Sequence, residues 1–253
     1  MLLITLIGAI LVRGALAHQV HGILLVNDTE TPPWKYVRDV GPEYNPYGET
    51  SDSTKISPQM DINDLNITCG RRAFDSAATT DTADVLAGSE VGFRVSYDGD
   101  GEYGHWWHPG PAQIYLSRAP NDDIKNYRGD GEWFKIAYGG PVGNNKWLLW
   151  GKPEFNFTIP KTTPPGKYLM RIETIFPTPM FNYSQWYVNC AQVNILGPGG
   201  GTPTQFAKFP GTYGINDPGI RIPENQFVNG GLVPDSEMRL LDYKAPGPEV
   251  WTG

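Results

Sequence analysis

His18 follows Ala15-Leu16-Ala17, and that junction carries the most chemistry in the chain. Cleavage after Ala17 gives the histidine a free α-amine beside its imidazole, and the two together chelate one metal ion. A second imidazole from elsewhere completes a T-shaped set of three nitrogens. Only His21, His105 and His108 can supply it. His21 lies three residues from His18 in a segment that reads as a strand, so it faces the other side. His105 precedes Trp106-Trp107 and has no turn to fix it. His108 is followed by Pro109-Gly110-Pro111, which forces a turn and leaves the ring on a loop at a strand edge, where a rigid sheet can hold a ligand. His108 is therefore the expected partner of His18, with His21 and His105 as non-ligands.

Residues 1–17 are nearly all apolar, too short to span a bilayer comfortably, and end in Ala-x-Ala, the pattern of a cleaved signal peptide. The expectation is a secreted chain, with residues 18–253 as a single domain that carries no appended module. The net charge is −7. That excludes nucleic acid, whose phosphates need a basic face, and leaves room for neutral partners such as glycans. Cys69 and Cys190 are the only cysteines. Secretion favours a disulfide between them, worth on the order of 4–5 kcal/mol for so long a loop. Asn27, Asn66, Asn156 and Asn182 each open an N-x-Ser/Thr triplet and are glycosylation candidates.

The elements that must position these residues read as strands. They are expected at Gln19–Val26, Val91–Tyr97, Ala112–Ser117, Trp133–Ala137, Phe155–Ile159, Gly166–Ile175 and Gln185–Leu196, separated by turn signals. Alternation puts Val91, Phe93, Val95 and Tyr97 on one face. Gln185 and Tyr187 share a face, and Cys190 points to the other. Residues 27–69 hold no period and are broken by prolines. They read as a long functional surface loop carrying Trp34, Tyr36, Tyr44 and Tyr47. Beyond Gly197 the chain is rich in Gly and Pro. The fold class is all-β, an antiparallel immunoglobulin/fibronectin-like β-sandwich whose long loops form a flat surface.

Several motifs recur in a set order: His18, His108-Pro-Gly-Pro111, Arg171-Ile-Glu173, Gln185-Trp-Tyr187-Val-Asn-Cys190-Ala-Gln192, Asp217-Pro-Gly219, and the ending Tyr243-Lys-Ala-Pro246-Gly-Pro248-Glu-Val-Trp251. Together they resemble the fungal lytic polysaccharide monooxygenases of auxiliary activity family 9, formerly glycoside hydrolase family 61. The resemblance covers nearly the whole chain. It implies a single copper ion held by His18 through its amine and one ring nitrogen and by His108, with Tyr187 axial and Gln185 hydrogen-bonding beside it. It implies a secreted, monomeric enzyme without membrane or nucleic-acid partners. Such an enzyme cleaves glycosidic bonds in cellulose or another β-linked polysaccharide, using O2 or H2O2 and an external electron donor. Aromatic residues on the flat face would stack on the glycan. Tyr243 matches a family tyrosine, and Trp34, Tyr36 and Tyr213 are further candidates.

One position departs from the family. A histidine that helps manage bound oxygen usually lies a few residues after the Arg-x-Glu strand, and Thr178 stands there instead. That departure motivates the alternative of a weakly active or non-catalytic copper- or glycan-binding protein on the same fold. A sandwich that binds carbohydrate without metal explains neither the histidine terminus nor Tyr187.

Overall fold

The structure, a computed structural model, describes residues 18–41, 55–98, 101–102, 104–228 and 230–253. The expected leader, Tyr44 and Tyr47 lie outside them. Fourteen strands run in chain order among the described residues. They are β1 Gln19–Val20, β2 Ile23–Val26, β3 Thr29–Glu30, β4 Ala83–Leu86, β5 Glu90–Arg94, β6 Tyr97–Asp98 and β7 Gly101–Glu102. They continue as β8 Ala112–Arg118, β9 Phe134–Gly139, β10 Pro141–Gly143, β11 Lys146–Trp147, β12 Glu154–Thr158, β13 Gly166–Phe176 and β14 Gln185–Leu196.

Two sheets form the sandwich, one of order β12-β5-β2-β3 and one of order β4-β14-β13-β8-β9. All pairings in them are antiparallel except the edge pair of β4 with β14. The alternation read from the sequence holds where one sheet faces the other. Val91, Phe93 and Val95 are buried together with Ile114, Leu116, Met170, Ile172 and Val193. For Tyr97, the fourth residue of that expected face, only the backbone is described.

The five-stranded sheet is covered on both sides, so β13 and β14 are buried along most of their length, polar residues included. Its outer face carries Tyr115, Leu169, Ile175, Trp186, Val188 and Cys190 under loops that contribute Ile56, Ile67, Phe209 and Tyr213. Covering a sheet with loops strands carbonyl groups, and buried cations meet them. Arg171 donates to the carbonyls of Thr68 and Ile67, both at 2.9 Å, and pairs with Glu173 at 2.8 Å. Arg38 donates to the carbonyls of Tyr127 and Ile124, and Lys135 to that of Pro246.

The Cys69–Cys190 disulfide forms as expected and closes a separation of 121 residues. It ties the outer face of β14 to the covering loop.

Two of the expected strands are interrupted, and one of them, Val91–Tyr97, breaks at Val95-Ser96 between β5 and β6. The first expected strand is interrupted at His21-Gly22, between β1 and β2. A Cβ on Gly22 would sit 2.5 Å from Ser96 Oγ and 2.9 Å from the Trp34 ring, so the chain passes too close to both for any side chain. The segment beyond Gly197 agrees with the Gly- and Pro-rich reading. It forms no strand among the described residues, yet it is stitched down by isolated bridges of Ala207 to Trp133, Arg221 to Thr178 and Val250 to Lys135.

Candidate metal centre

His18 precedes β1, which pairs with β6 through Gln19↔Asp98 and Val20↔Tyr97. His108 reaches the same place by the turn foreseen at Pro109-Gly110-Pro111. The Ile175 N–H of β13 donates to the Pro111 carbonyl at 3.1 Å. A Cβ on Gly110 would lie 1.8 Å from the Ile175 carbonyl oxygen, so only glycine lets this turn rest on the strand. The His108 ring then stacks on Phe176, the last residue of β13, at 4.3 Å between centroids.

Tyr187 comes from β14, opposite Thr174 of β13. Its hydroxyl donates to Gln185 Oε1 at 2.6 Å, as residues two apart on one strand face can. Gln19 Nε2 donates to Thr174 Oγ1 at 3.4 Å, closing the ring of neighbours.

Three rings converge. The centroids of His18 and His108 are 5.9 Å apart, those of His18 and Tyr187 5.9 Å, and those of His108 and Tyr187 5.8 Å. Two half-buried imidazoles and a buried phenol thus share one centre at the end of the sandwich. Burial pushes the Tyr187 phenol well above its usual range, so it faces that centre as a neutral hydroxyl rather than a phenolate. Two imidazoles beside a phenol oxygen would suit copper better than a hard cation. Among the described residues no group of three His, Cys, Asp or Glu could hold a metal.

His21 and Trp106 form a tie that the sequence did not reveal. The His21 ring is fully buried and stacks on Trp106 at 5.2 Å and 30°. Its backbone N–H donates to Asn189 Oδ1 at 2.9 Å. One residue thereby joins the His18 segment, the His108 segment and the strand of Tyr187. Burial lowers the His21 pKa to about 3, so the ring is neutral. The only signal in the sequence was a histidine and a tryptophan, each two or three residues from an expected ligand. His105 is half-buried, with its ring 4.8 Å from that of Trp107.

The aromatics expected to stack on glycan are placed otherwise. Tyr243 is 8 % exposed in an apolar cluster with Trp147 and Phe227, and its hydroxyl donates to the Gly219 carbonyl at 2.6 Å. Tyr213 is equally buried, and its hydroxyl donates to Glu173. Neither ring presents a face to a ligand. Trp34 and Tyr36 are half-buried and pack against the core. Conformation at the Tyr243 position follows the local need to close the C-terminal loops, which a motif match cannot disclose. Of the sequon residues, Asn27, Asn156 and Asn182 are exposed, while Asn66 is half-buried with Oδ1 accepting from Arg72 N at 3.0 Å.

Thr178 is 1 % exposed. Its hydroxyl donates to the Met180 carbonyl at 3.1 Å, and its N–H donates to Ser184 Oγ at 3.1 Å. The side chain is spent on shaping its own loop.

Two histidines and a tyrosine thus gather at one end of a β-sandwich. The sequence matches Auxiliary Activity family 9 (formerly GH61) over residues 18–229, a match that opens at His18. The chain belongs to that family, whose members cleave cellulose oxidatively with copper. It is 68 % identical over 251 residues to AA9 family lytic polysaccharide monooxygenase U of Thermothielavioides terrestris, covering 98 % of this chain and 97 % of that one. It is 36 % identical to AA9 family lytic polysaccharide monooxygenase C of Emericella nidulans, covering 94 % of each. Among solved structures, HiLPMO9B superposes with a TM-score of 0.68 at 25 % identity, over 93 % of this chain and all of that one.

Proposed function

We propose that the processed chain holds one copper ion through the His18 amine and imidazole and the His108 imidazole, with Tyr187 axial, and cleaves cellulose or a related β-glucan outside the cell. The convergence of the three rings carries this reading. Bound copper would supply one-electron redox chemistry there, passing two electrons in turn from an external donor to O2, or reacting once reduced with peroxide, and oxidising a C–H bond next to the glycosidic oxygen.

The protein contributes the donors and their order. An α-amine titrates near pH ~8, so loading the site displaces a proton from His18. Gln185 Oε1 accepts a hydrogen bond from the Tyr187 hydroxyl and fixes the direction of the phenol. The stack on Phe176 fixes the plane of His108. The His18 amine exists only once residues 1–17 are removed, and the family match that opens at His18 supports that cut.

The arrangement around Thr178 favours a second reading, a copper protein with slow turnover. The Thr178 hydroxyl donates to Met180, not toward the three rings, so it offers no hydrogen bond to a species forming there. Incubation of the processed protein with cellulose, copper and a reductant, followed by product analysis, tests both. Oxidised oligosaccharides at the rate of histidine-bearing relatives support the first reading alone. Tight copper binding with only traces of product supports the second. Absence of copper binding overturns both.

A further inference from the structure

The hairpin loop between β13 and β14 turns Met180, Phe181 and Tyr183 into solvent, 51 %, 57 % and 60 % exposed. Single exposed apolar side chains need no explanation, but three within four residues do. The loop leaves from Phe176, which stacks on His108, and returns at Gln185, which accepts from Tyr187; these two residues are Cα partners. Its underside is fixed. Thr178 bonds both Met180 and Ser184, Ser184 Oγ donates to the Ile220 carbonyl at 2.8 Å, and the Arg221 guanidinium lies 5.7 Å from the Phe181 ring centre. The rings are thus carried on an anchored base, which lowers the entropy lost when something settles on them.

A second exposed ring is attached to the other ligand. Trp150 is 44 % exposed, and its indole N–H donates to the Trp107 carbonyl at 2.9 Å, one peptide from His108. With its N–H spent inward, an apolar ring edge and face are what Trp150 offers to solvent.

We infer that Phe181 and Tyr183, on the loop that leaves Phe176, and Trp150, tied to the peptide before His108, are the surfaces on which the glycan chain stacks. The inference rests on the proposed function for its choice of ligand. Sugar rings present flat faces of C–H groups that match aromatic faces, and both shelves are tied directly to residues of the metal centre. The net charge of −7 disfavours an anionic lipid surface as the occupant. The shelves take the role that the buried Tyr243 and Tyr213 do not fill.

The test compares Phe181→Ala/Tyr183→Ala and Trp150→Ala with wild type in three measurements: binding isotherms on cellulose, copper affinity by calorimetry, and reductant oxidation without glycan. All proteins carry Asn182→Asp, so that no glycan on Asn182 covers the loop; aspartate tolerates the left-handed backbone found there, φ 63°. Cellulose binding should weaken roughly tenfold for each ring removed, the equivalent of uncovering its apolar area. Copper affinity and reductant oxidation should not change. Unaltered cellulose binding in both variants overturns the inference, as does loss of binding that merely follows loss of copper. A wild type that dimerises through the loop, with dimerisation abolished by the double variant, also overturns it. Failure of the proposed function looks different, because wild type would then bind cellulose through these rings yet release no oxidised product.

Discussion

Replacing His21 by phenylalanine keeps a ring against Trp106 and the backbone bond to Asn189 while removing a titratable group from the core. His21 titrates at about 3 in the fold, against 6.5 for an unperturbed side chain, because it is fully buried. The unfolded chain therefore takes up a proton on this residue below pH ~6.5 while the folded protein does not. Its share of stability is fully present above that pH and drains as the pH falls toward about 3, at about 1.4 kcal/mol per unit. Between about pH 7 and pH 5 the loss from this one residue comes to about 2 kcal/mol. Urea unfolding of the metal-free protein at both pH values measures it. Wild type should lose about 2 kcal/mol more than His21→Phe over that interval. Equal losses in the two proteins would show that the ring is not held neutral by the fold. His21→Ala, which also leaves Trp106 without its stacking partner, should cost roughly 2–4 kcal/mol near neutral pH, in the range of large-to-small core substitutions, and less at about pH 5, where wild type has lost the share due to His21.

Three further outcomes are expected. Retaining one residue before His18 turns the amine into an amide, so copper affinity by calorimetry should collapse; equal affinity with and without the extension sinks the chelate. His108→Ala should abolish tight copper binding while His105→Ala leaves most of it, and the reverse ranking would mean that the wrong histidine was assigned. Thr178→His should raise glycan turnover without tightening copper, because a donor acting on a developing oxygen species can be worth on the order of 10²–10³ in rate. The same change should destabilise by about 1–3 kcal/mol, since the site is packed, and a shifted copper resonance spectrum would count against it.

The sequence disclosed those parts of the site that depend on local chemistry. Pro-Gly-Pro after His108 can only turn, and Gln185 and Tyr187 can only share a strand face, so both arrangements were legible. The alternation at Val91, Phe93 and Val95 was legible for the same reason. What depends on distant chain segments was not. Nothing near Tyr243 says that its hydroxyl will find the Gly219 carbonyl, and nothing near His21 says that Trp106 will lie against it. Motif matching placed Tyr243 on a binding face; packing placed it in a core. The exposed rings that the structure does offer sit in a loop whose composition, Pro-Met-Phe-Asn-Tyr, has no period from which exposure could be read.

The disulfide acquires a meaning from the electrons this family consumes. A protein that must be fed by a reductant also carries, in Cys69–Cys190, a bond that reductants break. The strand β14 handles both, presenting Tyr187 on one face and Cys190 on the other. Cys190 is fully covered and Cys69 is 5 % exposed, whereas the two imidazoles are only half-buried. Thiol exchange needs an attacking sulfur in line with the bond, which such cover denies, while an electron can enter through an exposed imidazole edge. The sheet therefore stands as a partition between the half-buried rings and the bond that fastens the loop.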